Sequence, residues 1–222
     1  MKKFIKTLLC SALAAFALAG CQTTKKSASV SDTDYLVLVS KECPMNPDFV
    51  KGLEFVTVDT VYEDEKTDVE KKAYEAYLEL QAALAAKGIK IGIDSSYRSI
   101  SEQERIMKDF TEKYGEEYAR KTVAVPGTSE HHTGLAIDIV PKVDGEWKWE
   151  NEDMMNLPEI FEVIHAELPK YGFILRYPKG KAEGLGYSYE PWHIRYVASR
   201  EIARKIYDEG LTLEEYLAGI AK

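Results

Sequence analysis

The sequence predicts an α+β domain, a mainly antiparallel sheet flanked by helices, and three observations carry that prediction. Residues 69–87 repeat apolar side chains at spacings of four and three, the period of a helix with one buried face. Residues 89–94 and 135–140 alternate apolar side chains with polar or small ones, the period of a strand with one face in a core. Helical and strand segments follow one another without the regular alternation that a parallel sheet requires. Composition agrees: 45% hydrophobic and 30% charged residues are values of a globular chain, and no internal repeat points to a solenoid.

The elements follow in chain order. Lys2, Lys3 and Lys6 precede an apolar run over residues 8–18 and then "LAGC", residues 18–21. A charged start, a short apolar stretch and small residues describe an export leader, because a spanning helix needs about 20 apolar residues. "LAGC" resembles the bacterial lipoprotein signal, which implies cleavage ahead of Cys21 and lipid on that cysteine. Residues 22–34 are polar, small and aperiodic, the composition of a flexible tether. The expected organisation is therefore a leader at 1–20, a lipidated N-terminus and tether at 21–34, and one folded domain at 35–222. Cys10 leaves with the leader and Cys21 carries lipid, so Cys43 stands without a disulfide partner and the domain must rest on its apolar core. About 200 residues are ample for that. Removing the leader takes away three lysines and no acids, moving the formal charge from −8 to −11. So acidic a domain is unsuited to nucleic acid, whose binding relies on basic surface.

"YLVLVS", residues 35–40, reads as a first strand, followed by an irregular stretch containing Pro, Asn and Asp. Ala73, Tyr77, Leu80 and Leu84 then mark the buried face of a helix that Gly88 can end. In "IKIGID" the isoleucines share one strand face. Ser101 and Glu104 have capping-box spacing, which starts the next helix there and leaves Tyr97 and Arg98 on the preceding turn. A strand at 135–140, a helix at about 158–168, strands near 173–177 and 192–197, and closing helices complete the domain. Thr212 and Glu215 form a second capping box.

Chemistry concentrates in two stretches. In "SEHHTGLAID" the strand places Leu135, Ile137 and Ile139 on the core face and Gly134, Ala136 and Asp138 on the other. A carboxylate flanked by glycine and alanine has clearance for a metal or a substrate. His131 and His132 lie in the loop just before it and either can reach Asp138; spacing alone does not choose. In "EPWHIRY" His193, Arg195 and Val197 share one face, and Glu190 approaches from a bend ahead of Pro191. A His, Asp, His set with an unliganded Glu beside it has the parts of a zinc hydrolase, which holds its metal by three protein ligands and keeps a position open. His165 lies with Phe161, Ile164 and Leu168 on an apolar helix face and reads as a packed histidine. Cys43, with no basic neighbour in sequence, reads as a small buried side chain.

These residues carry a family resemblance. "SEHHTGLAID" is similar to the Ser-x-His-x-x-Gly-x-Ala-x-Asp motif, and "EPWH" to the Glu-x-x-His motif, of the zinc D-alanyl-D-alanine carboxypeptidases of the vancomycin-resistance type. "SYRSISEQ", "GFILRYP" and "GYSYEPWHIRYV" resemble further segments of that family in the same order, so the likeness spans about residues 36–197. It implies the fold shared with lysostaphin-like endopeptidases and the Hedgehog signalling domain. It assigns His131, Asp138 and His193 as ligands of Zn2+ and leaves His132 at a variable position, at the pocket rim or behind the ligands. It makes Glu190 the general base, which takes a proton from water and later protonates the leaving amine, and has Arg98 polarise the scissile carbonyl. Ser129, Gln103 and Tyr177 fall where the family places substrate contacts. Leu185 departs from the family, which often has threonine ahead of this glycine, so substrate detail there is open. The expected function is removal of the terminal D-alanine from peptidoglycan stem peptides by an exported lipoprotein held on the outer face of the bacterial cytoplasmic membrane. The rivals are an L,D-carboxypeptidase acting on tetrapeptide stems, an endopeptidase, and a non-catalytic zinc-containing wall-binding or signalling module. Glu190 speaks against the last, because a structural zinc site is closed by four ligands and gains nothing from a base.

Overall fold

The computed structural model describes residues 35–220; the leader, Cys21 and the tether lie outside the described residues. Helix α1 (Lys71–Ala86) begins where the Glu70 carboxylate accepts the Ala73 amide, a side-chain cap on an otherwise orphan donor. Its period holds: Ala73, Tyr77, Leu80 and Leu84 are the buried positions. Leu80 and Leu84 are fully buried, and each such side chain contributes about 1.5–3 kcal/mol.

A hairpin of β1 (Phe55–Asp59) and β2 (Lys66–Glu70) leads into α1. The main sheet contains β3 (Lys90–Ser95), β4 (Ala136–Val143), β7 (His193–Tyr196) and β6 (Phe173–Leu175) in that order, with the two-residue β5 (Glu146–Trp147) paired to the end of β4. All its pairings are antiparallel. Helices α2 (Ile100–Tyr114) and α3 (Glu116–Thr122) follow β3, α4 (Asn151–Met155) and α5 (Pro158–Glu167) precede β6, and α6 (Arg200–Asp208) and α7 (Leu213–Ile220) close the described chain. The core joins α1 and α5 to one sheet face through Ile91, Ile93, Leu135, Ile137, Ile139, Phe161, Ile164 and Ile194. A smaller cluster of Ile174, Val197, Ala203, Ile206 and Leu213 seats α6 and α7.

Two expectations are corrected. Residues 35–40 are not a strand: Tyr35 and Leu36 form a short 3-10 turn and the following residues pair with no ladder. Their carbonyls have a different donor, since the Arg195 guanidinium bonds Tyr35 O at 2.9 Å and Val37 O at 2.8 Å. Helix α2 starts two residues earlier than the Ser101–Glu104 pattern predicts. Ser99, extended at φ −66 and ψ 158, is the cap and accepts the Glu102 amide at 3.0 Å, while Ser101 already lies in the first turn. The second capping box forms as expected, with Thr212 Oγ1 accepting the Glu215 amide and Glu215 accepting the Thr212 amide. Cys43 is partly rather than fully buried.

Candidate metal centre and active site

The site lies on the sheet face opposite α1. Alternation along β4 sends Ile137 and Ile139 to the core and Asp138 outward, and the register pairs Asp138 with His193 across β4 and β7. On the other side Ser95 pairs with Asp138 past a register shift between Ile93 and Ser95, which turns the Ser95 hydroxyl to donate to Asp138 Oδ2 at 3.0 Å. His131 arrives on a 3-10 turn, Glu130–Thr133, that ends at Gly134 with φ +69. A side chain at 134 would strike the Phe55 ring as well as strain the backbone, so glycine is what lets this turn pack under the β1–β2 hairpin.

His131, Asp138 and His193 each offer one donor atom, all within 4.8 Å of one another. His131 Nε2 is 3.1 Å from Asp138 Oδ2 and His193 Nδ1 is 3.1 Å from Asp138 Oδ1. The second contact lacks hydrogen-bond alignment, so Oδ1 is a buried acceptor without a hydrogen-bond partner among the described residues. Each imidazole is oriented by its far nitrogen: His131 Nδ1 donates to Ser96 O at 2.7 Å, and His193 Nε2 donates to Glu130 Oε2 at 3.0 Å. The nitrogens left over, His131 Nε2 and His193 Nδ1, are those that face Asp138. Burial opposes charge on Asp138, yet the two imidazoles outweigh it and hold the carboxyl well below the usual range. Burial likewise disfavours a charged His193, yet Asp138 and Glu130 outweigh it and raise the group to about 10. Two nitrogen donors, an orphaned carboxylate oxygen and a strong demand for positive charge make a set that fits a divalent cation.

His132 does something else. Its Nδ1 donates to Arg98 O at 2.6 Å and its Nε2 accepts the Gly127 amide at 3.0 Å, so both ring nitrogens are engaged with backbone and neither is left for a metal. At 1% exposure it is buried behind the ligands rather than on a pocket rim. Arg98 is tied to the same turn, its amide donating to His131 O at 3.1 Å. Gln103 is buried beneath Arg98, accepting from its Nη1 at 3.1 Å and donating to Ala124 O at 2.8 Å. Ser129 is buried at the head of the ligand turn. Tyr177 is buried with its ring 5.0 Å from that of His193 and stacked on Tyr187 at 4.4 Å. Leu185 ends a 3-10 turn, Ala182–Leu185.

Glu190 keeps 29% of its side chain exposed and places Oε2 3.7 Å from His193 Nδ1. Burial is the main cause that raises its carboxyl, to about 7; His193 opposes the shift and Asp138 adds to it. His165 bonds Pro191 O at 2.9 Å through Nε2 and packs on Phe161, the packed role its helix face indicates.

Sequence reasoning passed over Glu130, Arg176 and Arg195. All three are fully buried: Glu130 Oε1 lies 2.7 Å from Arg176 Nε and 2.6 Å from Arg195 Nη1. Arg176 also takes Glu214 of α7 in a two-bond fork at 2.9 and 2.7 Å. Burial opposes charge on Glu130, but the two guanidinium groups outweigh it and hold its carboxyl far below the ordinary range. The signal was present in "FILRYP" and "WHIRYV", where an arginine directly follows strand residues that must be buried.

Comparison with known proteins gives one consistent answer. The D-alanyl-D-alanine carboxypeptidase family model, VanY, matches residues 66–199. A D-alanyl-D-alanine carboxypeptidase of Enterococcus faecalis is 36% identical over 191 residues, which cover 82% of this chain and 65% of that protein. The chain thus spans a little under two thirds of the length of that curated relative. Among solved structures, the LdcB LD-carboxypeptidase superposes with a TM-score of 0.72 at 31% identity, covering 88% of this chain and 92% of the other. A variant of the vancomycin-resistance D,D-pentapeptidase VanY from a VanB-type cassette, in complex with Zn(II), gives 0.64 at 33% identity, covering 83% and 99%. Their mixed helix and antiparallel sheet architecture is the one found here. By family match, sequence identity and fold alike, this chain belongs to the D-alanyl-D-alanine carboxypeptidase family.

Proposed function

We propose that the protein is a zinc-dependent D,D-carboxypeptidase that removes the terminal D-alanine from peptidoglycan stem peptides. The observation that carries this reading is the open three-donor set of His131, Asp138 and His193 with Glu190 beside it and not among the donors. His131 Nε2, Asp138 and His193 Nδ1 would hold the zinc, which when bound supplies Lewis acidity toward a scissile carbonyl and toward water. Glu190 accepts the proton of the attacking water and returns it to the departing amine. The Arg98 guanidinium, carried on a turn that His132 and Gln103 brace, balances charge developing on the carbonyl oxygen or holds the substrate carboxylate. Tyr177 and Tyr187 form an aromatic wall on the His193 side. Ser129 and Tyr177 are the candidates for direct substrate contacts, while Gln103, buried and bonded to Arg98 and Ala124 O, would act through Arg98.

A second reading has one specific support, the likeness to the LD-carboxypeptidase LdcB at a TM-score of 0.72. Mass spectrometry of residues 22–222 with zinc and either a stem pentapeptide or a stem tetrapeptide separates the two. Chelator-sensitive loss of one alanine from the pentapeptide supports D,D activity, and loss confined to the tetrapeptide supports the L,D alternative. Zinc bound without cleavage of either would rule out both. Glu190→Ala should retain zinc and lose at least 100-fold in turnover, the scale of a removed general base.

The leader and "LAGC" further support an exported lipoprotein held on the outer face of the cytoplasmic membrane, where stem peptides lie. Among the described residues no helix is long and apolar enough to cross a membrane, so attachment would rest on the lipid at Cys21. Fractionation of the wild type and Cys21→Ala tests this: the wild type should sediment with membranes and the variant should not.

A further inference from the structure

We infer that Glu130 is the positioning residue of the metal centre: clamped between Arg176 and Arg195, it fixes which nitrogen of His193 is offered to the cation. The inference rests on the zinc reading of His131, Asp138 and His193. Its observations are geometric. Glu130 is fully buried, and its carboxylate, bonded to neither His131 nor Asp138 among the described residues, spends one oxygen on each task. Oε1 is shared by Arg176 Nε at 2.7 Å and Arg195 Nη1 at 2.6 Å, and Oε2 takes His193 Nε2 at 3.0 Å. An oxygen held by two guanidinium groups cannot swing away, and because an ionised carboxylate only accepts, the His193 nitrogen facing it must carry a proton. In the neutral ring, the form that can bind a cation, Nδ1 is thereby left with its lone pair toward Asp138 and Glu190, at 3.1 and 3.7 Å.

Charge supplies a second reason. Two buried guanidinium groups lie behind a ligand of a dication and would repel it unless neutralised. Glu130 and Glu214 provide one negative charge for each arginine, Glu214 reaching Arg176 from α7. Glu130 therefore both sets the tautomer and separates Arg176 and Arg195 electrostatically from the cation.

Glu130→Gln isolates these roles at nearly constant shape. A glutamine that keeps its oxygen on the arginines turns its NH2 toward His193, which favours the proton on Nδ1, where the metal must bind. Three measurements on residues 22–222 test this. In the zinc-loaded wild type, 15N-resolved NMR of the histidine rings should show His193 protonated at Nε2 and bare at Nδ1; the reverse assignment would overturn the inference without need of any variant. By competition with a chromogenic chelator, Glu130→Gln should bind zinc 10- to 100-fold more weakly while its far-ultraviolet circular dichroism matches the wild type. Glu130→Asp, which keeps the charge, should recover part of that loss, a rescue that a purely space-filling role would not give. Zinc affinity unchanged in folded Glu130→Gln would overturn this inference and leave the zinc reading standing. A wild type that took up no zinc would overturn both.

Discussion

Alanine in place of His131 removes the Nε2 donor and should abolish zinc uptake, measured by mass spectrometry of the native protein. Alanine in place of His132 should leave zinc uptake intact and cost stability, because the Gly127 amide and the Arg98 carbonyl lose their buried partners. Two such orphans cost about 2–6 kcal/mol, readable as a shift of the urea midpoint. Equal metal loss in both variants would refute the distinction. The two histidines are neighbours in sequence and equally able to reach Asp138 by spacing; only the backbone groups around each ring separate them. For the same reason the candidate residues of the site were legible and their supports were not. Asp138 could be read from the small residues beside it, and Glu190 and His193 from their motif. Glu130, in contrast, is an ordinary acidic letter in a polar stretch, and its meaning depends on arginines 46 and 65 positions away.

Among the elements, those defined by their own period were legible: α1, β3, β4 and α5 lie where apolar spacing puts them, within about two residues at each end, or three at the end of β4. The misreadings arose where a distant partner decides. Residues 35–40 have strand composition, but Arg195 takes the carbonyls that a neighbouring strand would need. The β1–β2 hairpin was passed over because its strands are half exposed and alternate weakly. Two predictions belong at this scale. Gly134→Ala should destabilise the domain by at least about 1–2 kcal/mol in urea unfolding, since the new methyl meets the Phe55 ring at a positive φ. An unchanged midpoint would mean that the hairpin yields freely. On α5, burial lowers the His165 pKa and its bond to Pro191 O only partly opposes this. The native state therefore refuses a proton that the unfolded chain takes up near pH 6.5, so this contribution is present above that pH and is lost as pH falls. Between pH 7 and 5 the wild type should lose more stability than His165→Asn, and parallel pH curves would remove His165 as a cause.

At the scale of the whole molecule, the three donors come from separate places: a turn before β4, β4 itself and β7. A cation joining them binds the folded state and not the unfolded one, so zinc at 100 times its dissociation constant should add about 2.7 kcal/mol. Chelation should lower the melting temperature by several degrees, and re-added zinc should restore it; a transition indifferent to chelator would show that the donors are held without the metal. The buried charge cluster behind them spans the chain more widely still. Arg195 reaches back 160 residues to Tyr35, and Arg176 reaches forward 38 to Glu214. Contacts of such sequence separation must meet their loop-closure entropy before they are rewarded. A chain that has not yet made these contacts thus has Glu190 and its histidines but not the scaffold that aims them. The geometry that joins the three donors is thereby tied to completion of the whole fold, and comes from topology rather than from any one segment.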